Sequence, residues 1–169
     1  MIIGFTGKAG VGKTTCANYT SHSVISFAGE LKRIAFIMGW DGEKDVKGRT
    51  LLQDLGDIGR KYDPEMWVLP IVTECISHEE NVAFVGTDYI LSVDDVRYDN
   101  EAKILKSLGG IIIHLKGDGY DLGKLSDHPS EKGVGEKYRD YSIPWDNLKV
   151  VFATLDNIVI EEKGKRAIE

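Results

Sequence analysis

Eight residues near the start of the chain, Gly7-Lys8-Ala9-Gly10-Val11-Gly12-Lys13-Thr14, constrain its fold more than any other stretch. They fit G-x-x-x-x-G-K-[ST], and the apolar run Met1-Ile2-Ile3-Gly4-Phe5 leads into them as a buried strand would. Gly7, Gly10 and Gly12 let the backbone wrap an anion with several N–H groups pointing inward. Lys13 then reaches the β and γ phosphates of a nucleotide, and the Thr14 hydroxyl reaches a Mg²⁺ ion. By average residue usage the pattern arises by chance about once in one or two hundred chains of this length. A plain glycine turn has no need of Lys-Thr at the entry to a helix, so the pattern predicts a strand, a phosphate-cradling loop and a helix.

A chain of 169 residues is most simply one domain with a substantial core. The formal charge of −6, from 21 basic and 27 acidic residues, argues against a protein that coats nucleic acid. A nucleotide pocket needs only local positive charge and stays compatible with that balance. Two cysteines, Cys16 and Cys75, are too few for a disulfide framework and read as small buried hydrophobes. No apolar run approaches membrane-spanning length, and the phosphate loop at residue 7 leaves no room for a signal peptide before it. The expectation is a soluble, cytoplasmic protein with small-molecule partners, no nucleic acid and no membrane. Oligomeric state is left open, a homodimer included.

Further along, 13–21 is expected to be helical on the strength of the motif, because its Thr, Cys, Asn and Tyr content is poor helix material. Residues 24–27 read as a second strand. Leu31, Ile34, Ala35 and Met38 recur at helical spacing, and Leu51, Leu52 and Leu55 mark a helix over about 49–61, with a charged loop at 40–48. Pro64 fits the first turn of another helix, whose stripe is Trp67, Val68, Ile71, Val72 and Cys75, and Pro70 is expected to kink or break it. Residues 82–85 and 89–93 both look like strands, separated by Gly86-Thr87-Asp88. The second is the better central strand because it delivers Asp94-Asp95 at its carboxyl end, and the first is left between edge strand and loop. A helix over 100–108 ends at Gly109-Gly110, and Ile111-Ile112-Ile113-His114-Leu115 is a buried parallel strand. The 116–139 stretch has no clear period, 141–143 is a short last strand, and 148–160 is a final helix before a frayed charged tail. This order describes an α/β fold in three layers, with a mostly parallel sheet of about five strands and ligands beyond their carboxyl ends.

The stretch Asp94-Asp95-Val96-Arg97-Tyr98 is the second constellation. A carboxylate at a strand end can hold Mg²⁺ opposite the loop threonine, and Arg97 can neutralise a transferring phosphate. Adjacent strand residues point to opposite faces, so only Asp94 or Asp95 should face the metal. The alternative is that these carboxylates cap a helix.

The phosphate loop, Ser26-Phe27-Ala28-Gly29-Glu30-Leu31-Lys32, Arg49-Thr50-Leu51-Leu52-Gln53-Asp54-Leu55-Gly56, and Asp95-Val96-Arg97 through Gly109-Gly110 occur in that order, with His128-Pro129-Ser130-Glu131 as a weaker fifth segment. In this the chain resembles the deoxynucleoside monophosphate kinases of bacteriophages and their bacterial relatives, within the P-loop nucleoside monophosphate kinases. The resemblance implies a P-loop kinase fold, a monophosphate-binding region over about 28–79 and a lid over about 116–139. It implies ATP and Mg²⁺, with Lys13, Arg97 and Asp95 catalytic and Thr14 with Asp94 or Asp95 on the metal. Gly7 through Thr14, Thr15, Lys132, Lys137 and Arg139 would hold ATP, and Lys124 is a further lid cation. Phe27, Lys32, Arg49, Gln53, Arg60 and Trp67 would bind the acceptor, with Lys32 and Arg49 on its phosphate and Phe27 or Trp67 on its base. From the residues alone, Lys32 and Arg60 also read as solvated helix charges, and Phe27 and Trp67 as core side chains. The lid departs from the kinase pattern in carrying mostly lysine, which cannot make arginine's planar two-point contact. Tyr98-Asp99 also replaces the family's frequent Phe-Pro, and His128 reads as a hydrogen-bonding residue or a metal ligand.

The implied reaction moves the γ-phosphoryl of ATP to a deoxynucleoside monophosphate. The alternatives from the sequence are a P-loop kinase for another small acceptor such as dephospho-coenzyme A, a nucleotide-dependent switch or ATPase, and a binding protein without turnover.

Overall fold

A computed structural model describes residues 1–85 and 89–167 of the chain, with the backbone alone for 78–85. The expected break at Gly86-Thr87-Asp88 lies outside the described residues.

The first strand, β1 (Ile2–Thr6), is buried along its whole length. Helix α1 (Lys13–Thr20) follows the glycine loop, and the sheet continues with β2 (Ser23–Ile25), β3 (Leu91–Val93), β4 (Ile111–Lys116) and β5 (Tyr141–Pro144). The strands lie in the order β2-β3-β1-β4-β5, and every pairing is parallel. All-parallel sheets need cover on both faces. Alternation along β1 provides it: Ile3 and Phe5 join Cys16 and Ala17 of α1 and Val151 and Leu155 of α7 (Leu148–Arg166). Ile2 instead joins Cys75 of α4 (Leu69–Val85), Leu105 of α5 (Asp99–Ser107) and Ile112. The result is a three-layer α/β fold with β1 at its centre.

Gly4 sets how closely α5 approaches β1. A Cβ there would lie 2.7 Å from Ile112 Cδ1 and 2.9 Å from Leu105 Cδ1 and Val96 Cγ2.

Several elements differ from the sequence expectation for physical reasons. Residue 27 ends the extended stretch early, because Phe27 already has helical angles at the start of α2 (Ala28–Ile37). Helix α3 runs over Val46–Tyr62, longer at both ends than expected, with Asp45 accepting a hydrogen bond from the Gly48 amide at 2.7 Å. Pro70 neither kinks nor breaks a helix: α4 starts at Leu69, so the missing N–H falls in the first turn where no partner is required. The 82–85 run belongs to α4, neither strand nor loop, since a short apolar run has no period that separates the two. The 116–139 stretch contains short helical turns at Gly123–Asp127, Pro129–Lys132 (α6) and Glu136–Tyr138. Helix α7 continues to Arg166, its last turns held by Lys165 between Glu161 and Glu162, while Tyr141 donates to Glu162 at 2.6 Å. Among the described residues no helix is long and apolar enough to cross a membrane.

Trp67 is locked into the interior rather than offered to a ligand. It is 5% exposed, donates from Nε1 to Gly56 O at 3.0 Å, and packs its ring against Gly59 of α3. A Cβ at Gly59 would fall inside that ring. Alanine is the better helix former by about 1 kcal/mol, but overpacking typically costs about 1–3 kcal/mol. Gly59→Ala should therefore lower stability by up to about 2 kcal/mol in chemical denaturation, and a stabilised variant would contradict this packing.

Candidate functional site

The loop between β1 and α1 has the left-handed backbone its glycines permit, with φ of 142° at Gly7, 79° at Gly10 and 97° at Gly12. Two aromatic rings press on it. A Cβ at Gly10 would lie 2.5 Å from the Tyr120 ring, and one at Gly12 would collide with Trp145. Lys13 is 7% exposed and its ammonium donates to Gly7 O and Lys8 O, each at 2.8 Å. Burial, helped by the neighbouring Arg97 charge, pulls its pKa down to about 8. An anion docking beside it would favour the charged form again.

The two carboxylates after β3 point in different directions. Asp94 Oδ2 accepts from Thr14 Oγ1 at 2.6 Å, and burial raises the pKa of this carboxyl against the opposing effect of that hydrogen bond. Asp95 turns away to the start of α2, where it accepts from Ser26 Oγ at 2.6 Å, Phe27 N at 2.7 Å and Ala28 N at 3.0 Å. Asp95, expected among the catalytic and metal-binding residues, is thus occupied as a helix cap, an arrangement the N-terminal dipole of α2 also favours. Thr14 and Asp94 remain as a pair of oxygen donors, a set that suits Mg²⁺, which keeps most of its shell for water and phosphate. Among the described residues there is no cluster of three His, Cys, Asp or Glu for a dedicated metal cage, His128 included.

Beyond this pair lies a cavity of about 510 Å³. Lys13, Thr14 and Thr15 line one side of it, Lys32, Arg49, Gln53 and Arg60 the other, and Asp94, Asp95 and Arg97 the floor between. Lys32 is 3.5 Å from Ser26 Oγ, and Arg49 donates from Nε to Lys44 O at 2.8 Å. The Arg60 guanidinium lies 3.9 Å over the Tyr98 ring and 3.4 Å from Asp57. Phe27, expected to stack on a base, is 4% exposed and packed in the α4–α5 core, so it and Trp67 line no part of this cavity. Both expectations fail because each ring is buried in the interior.

Arg97 is held by the 116–139 stretch. Its NH1 donates to Ser130 O at 3.0 Å and to Glu131 at 2.5 Å. His128 Nδ1 accepts from the Ser130 amide, leaving Nε2 to pair with Asp57 Oδ2 of α3 at 3.1 Å. Gln53 reaches Leu125 O at 3.5 Å. This stretch therefore closes over the cavity from α3 to Arg97. Its cations do not all follow: Lys132 and Arg139 line a neighbouring cavity, Lys137 lies 4.8 Å over the Tyr138 ring, and Lys124 is exposed.

Lys44, Tyr98, Tyr120 and Glu131 line the main cavity although the sequence reading assigned them no role. Glu131 belongs to the His128-Pro129-Ser130-Glu131 segment, and Tyr98 directly follows Arg97. Lys44 had no signal beyond a charged loop, yet burial and the nearby Lys32 and Arg49 charges lower its pKa. Beneath the floor, Glu101 is 3% exposed and accepts from Arg97 N at 2.7 Å and Tyr98 N at 3.1 Å. It fixes the backbone that presents Arg97, and burial pushes its pKa up to about 7.

No known family model matches this chain. It is 25% identical over 142 residues to an uncharacterized protein, ORF76, of Ictalurid herpesvirus 1 (strain Auburn), a match covering 80% of this chain and 56% of the relative. The chain thus spans little more than half of that protein's length.

Two predictions follow from the split carboxylates and the buried acid. Asp95→Ala should cost about 1–3 kcal/mol of stability by leaving the α2 amides unpaired, whereas Asp94→Ala should leave the melting temperature nearly unchanged. Equal effects in thermal melts would refute the division. Glu101 keeps its proton to about pH 7 when folded but loses it near its ordinary 4.5 when unfolded. The folded state then binds more protons in that window, so stability falls as pH rises through it, by up to about 3 kcal/mol. Glu101→Gln should flatten that slope in melts taken from pH 4.5 to 7.

Proposed function

We propose that this chain transfers the γ-phosphoryl group of ATP to a deoxynucleoside monophosphate, giving ADP and the diphosphate. The observation that supports this best is the shared cavity: the glycine loop with Lys13 and Thr14 faces Lys32, Arg49 and Arg60 across Arg97. Lys13 at the glycine loop suits a donor triphosphate, and the Lys32, Arg49 and Arg60 cluster suits a second phosphate. The deoxynucleotide character of the acceptor rests on the resemblance of the ordered sequence segments. Action in the cytoplasm of a bacterial or infected cell on small nucleotides, without nucleic acid, fits the same reading.

The acceptor is itself a phosphate, largely ionised at neutral pH, so no strong general base is needed. Catalysis then comes from positioning and charge neutralisation. Lys13 exchanges its contacts with Gly7 O and Lys8 O for the β and γ phosphates. Arg97, which lines the same cavity as Lys13 and that cluster, neutralises charge on the group in transfer. Lys32 and Arg49 orient the acceptor phosphate, and Arg60 with Tyr98 flanks it. Thr14 and Asp94 would hold Mg²⁺, which would supply positive charge to offset that of the phosphates. The 116–139 stretch excludes water that would otherwise take the phosphoryl group.

A coupled assay for ADP release, run against a panel of deoxynucleoside monophosphates, tests this. At least one should stimulate ADP formation, and Lys13→Ala should lower the rate by about 10²–10³-fold with the fold retained. Stimulation by dephospho-coenzyme A alone would replace the acceptor. Turnover without any acceptor, or only with DNA, would replace transfer with ATPase action. Full activity in the Lys13 variant would remove the loop from the chemistry.

A further inference from the structure

A second cavity, of about 540 Å³, lies behind the glycine loop, bounded by Gly7, the end of β4 and α6. Lys8, Lys116, Lys132 and Arg139 line it, against Asp118 and Glu131. Glu131 is already paired with Arg97, so the local balance is strongly positive although the whole chain carries −6. Lys8, Lys116 and Lys132 form no ion pair among the described residues. Arg139 gives Nε and one terminal nitrogen to Val134 O, leaving its other terminal nitrogen unpaired among the described residues.

One polar atom in the wall of this cavity and one on the neighbouring strand are unsatisfied. His114 lines the cavity, and its Nδ1 is buried without a hydrogen-bond partner among the described residues. Thr6, its cross-strand neighbour, is fully buried with Oγ1 equally unpartnered among them. Buried polar atoms in native proteins nearly always have partners, and an exception calls for an explanation, a bound ion being one. The His114 pKa is lowered by burial and then by the charges of Arg139, Lys116 and Lys13, which is the local field that would attract an anion. Among the described residues Leu115 is the one aliphatic side chain in the lining, and no Phe, Tyr or Trp belongs to it. A phosphate chain would find several donors there.

We propose that this cavity is a second anion site that takes a polyphosphate group, as pyrophosphate or as the phosphate chain of a nucleotide, while the glycine-loop cavity is separately occupied. The two cavities share Glu131 as a wall and have different cations. Lys132 and Arg139 then serve this second site instead of the donor nucleotide. The inference does not require the neighbouring cavity to act as a kinase.

Calorimetric titration of the full chain with pyrophosphate, after saturation with a non-hydrolysable ATP analogue, is the test. Pyrophosphate should still bind, and Lys116→Ala with Lys132→Ala should weaken that binding at least tenfold. Both lysines are exposed, so the double variant should fold, and a melt checks it. Loss of pyrophosphate binding on saturation with the analogue, or unchanged binding in the double variant, would overturn the proposal. The comparison repeated in Lys13→Ala, with pyrophosphate and then a deoxynucleoside triphosphate, separates the sources. Equal affinity identifies a free polyphosphate, tighter triphosphate binding a nucleotide, and dependence on Lys116 and Lys132 is required of both. Should the analogue itself fail to bind, the reading of the glycine loop falls, while the pyrophosphate result in the lysine variant still decides the second site.

Discussion

Side chains alternate along an extended backbone, and at the end of β3 that alternation sends adjacent carboxylates to different tasks. Asp94 reaches across to Thr14, whereas Asp95 takes the free amides at the start of α2. The same turn is pinned from below, because Asp94 N donates to Ile25 O and Val96 N to Phe5 O. Three strand ends and one helix start therefore meet in a few residues. Lys32 comes with α2, and Arg97 follows the turn, so the spacing of both from Lys13 depends on this junction. A loosened Asp95 would move the acceptor side relative to the glycine loop without touching either.

Much of this could be read from the chain. The glycine loop is local, so its strand and helix followed from the residues themselves. The parallel sheet followed from the near-continuous apolar runs of β1 and β4. The alternation rule stated that only one of Asp94 and Asp95 could face the loop threonine, but choosing between them required the position of the α2 amides, which no local pattern encodes. Phe27 and Trp67 misled for a related reason. An aromatic residue near a binding region looks the same in sequence whether it faces a ligand or the core, and here Gly59 and the α4–α5 packing decide. The 82–85 run failed because four apolar residues have no period. The 116–139 stretch showed no pattern because its turns are held from outside, by Arg97, Asp57 and Gln53.

Charge is distributed as unevenly as structure. An acidic chain has placed several cations at the carboxyl end of the sheet, where burial and the Arg97 charge lower the pKa of Lys13, and burial with the Lys32, Arg49 and Arg97 charges that of Lys44. Like charges held this close raise the free energy of the protein by itself and lower it when an anion arrives. Glu131 relieves part of that repulsion by pairing with Arg97. The fold thus carries an electrostatic cost at its site, offset elsewhere by burial in two ordinary cores.

The pressure of Tyr120 on Gly10 and of Trp145 on Gly12 bears on how a glycine signature should be interpreted. Backbone angle and aromatic crowding each forbid a side chain at these positions, so either constraint alone would preserve the glycines. A descendant that had lost every phosphate ligand would still keep them, for the sake of the two rings. In such a lineage the glycines record architecture, and Thr14, which no packing contact demands, is the residue whose loss would first report that the chemistry had gone.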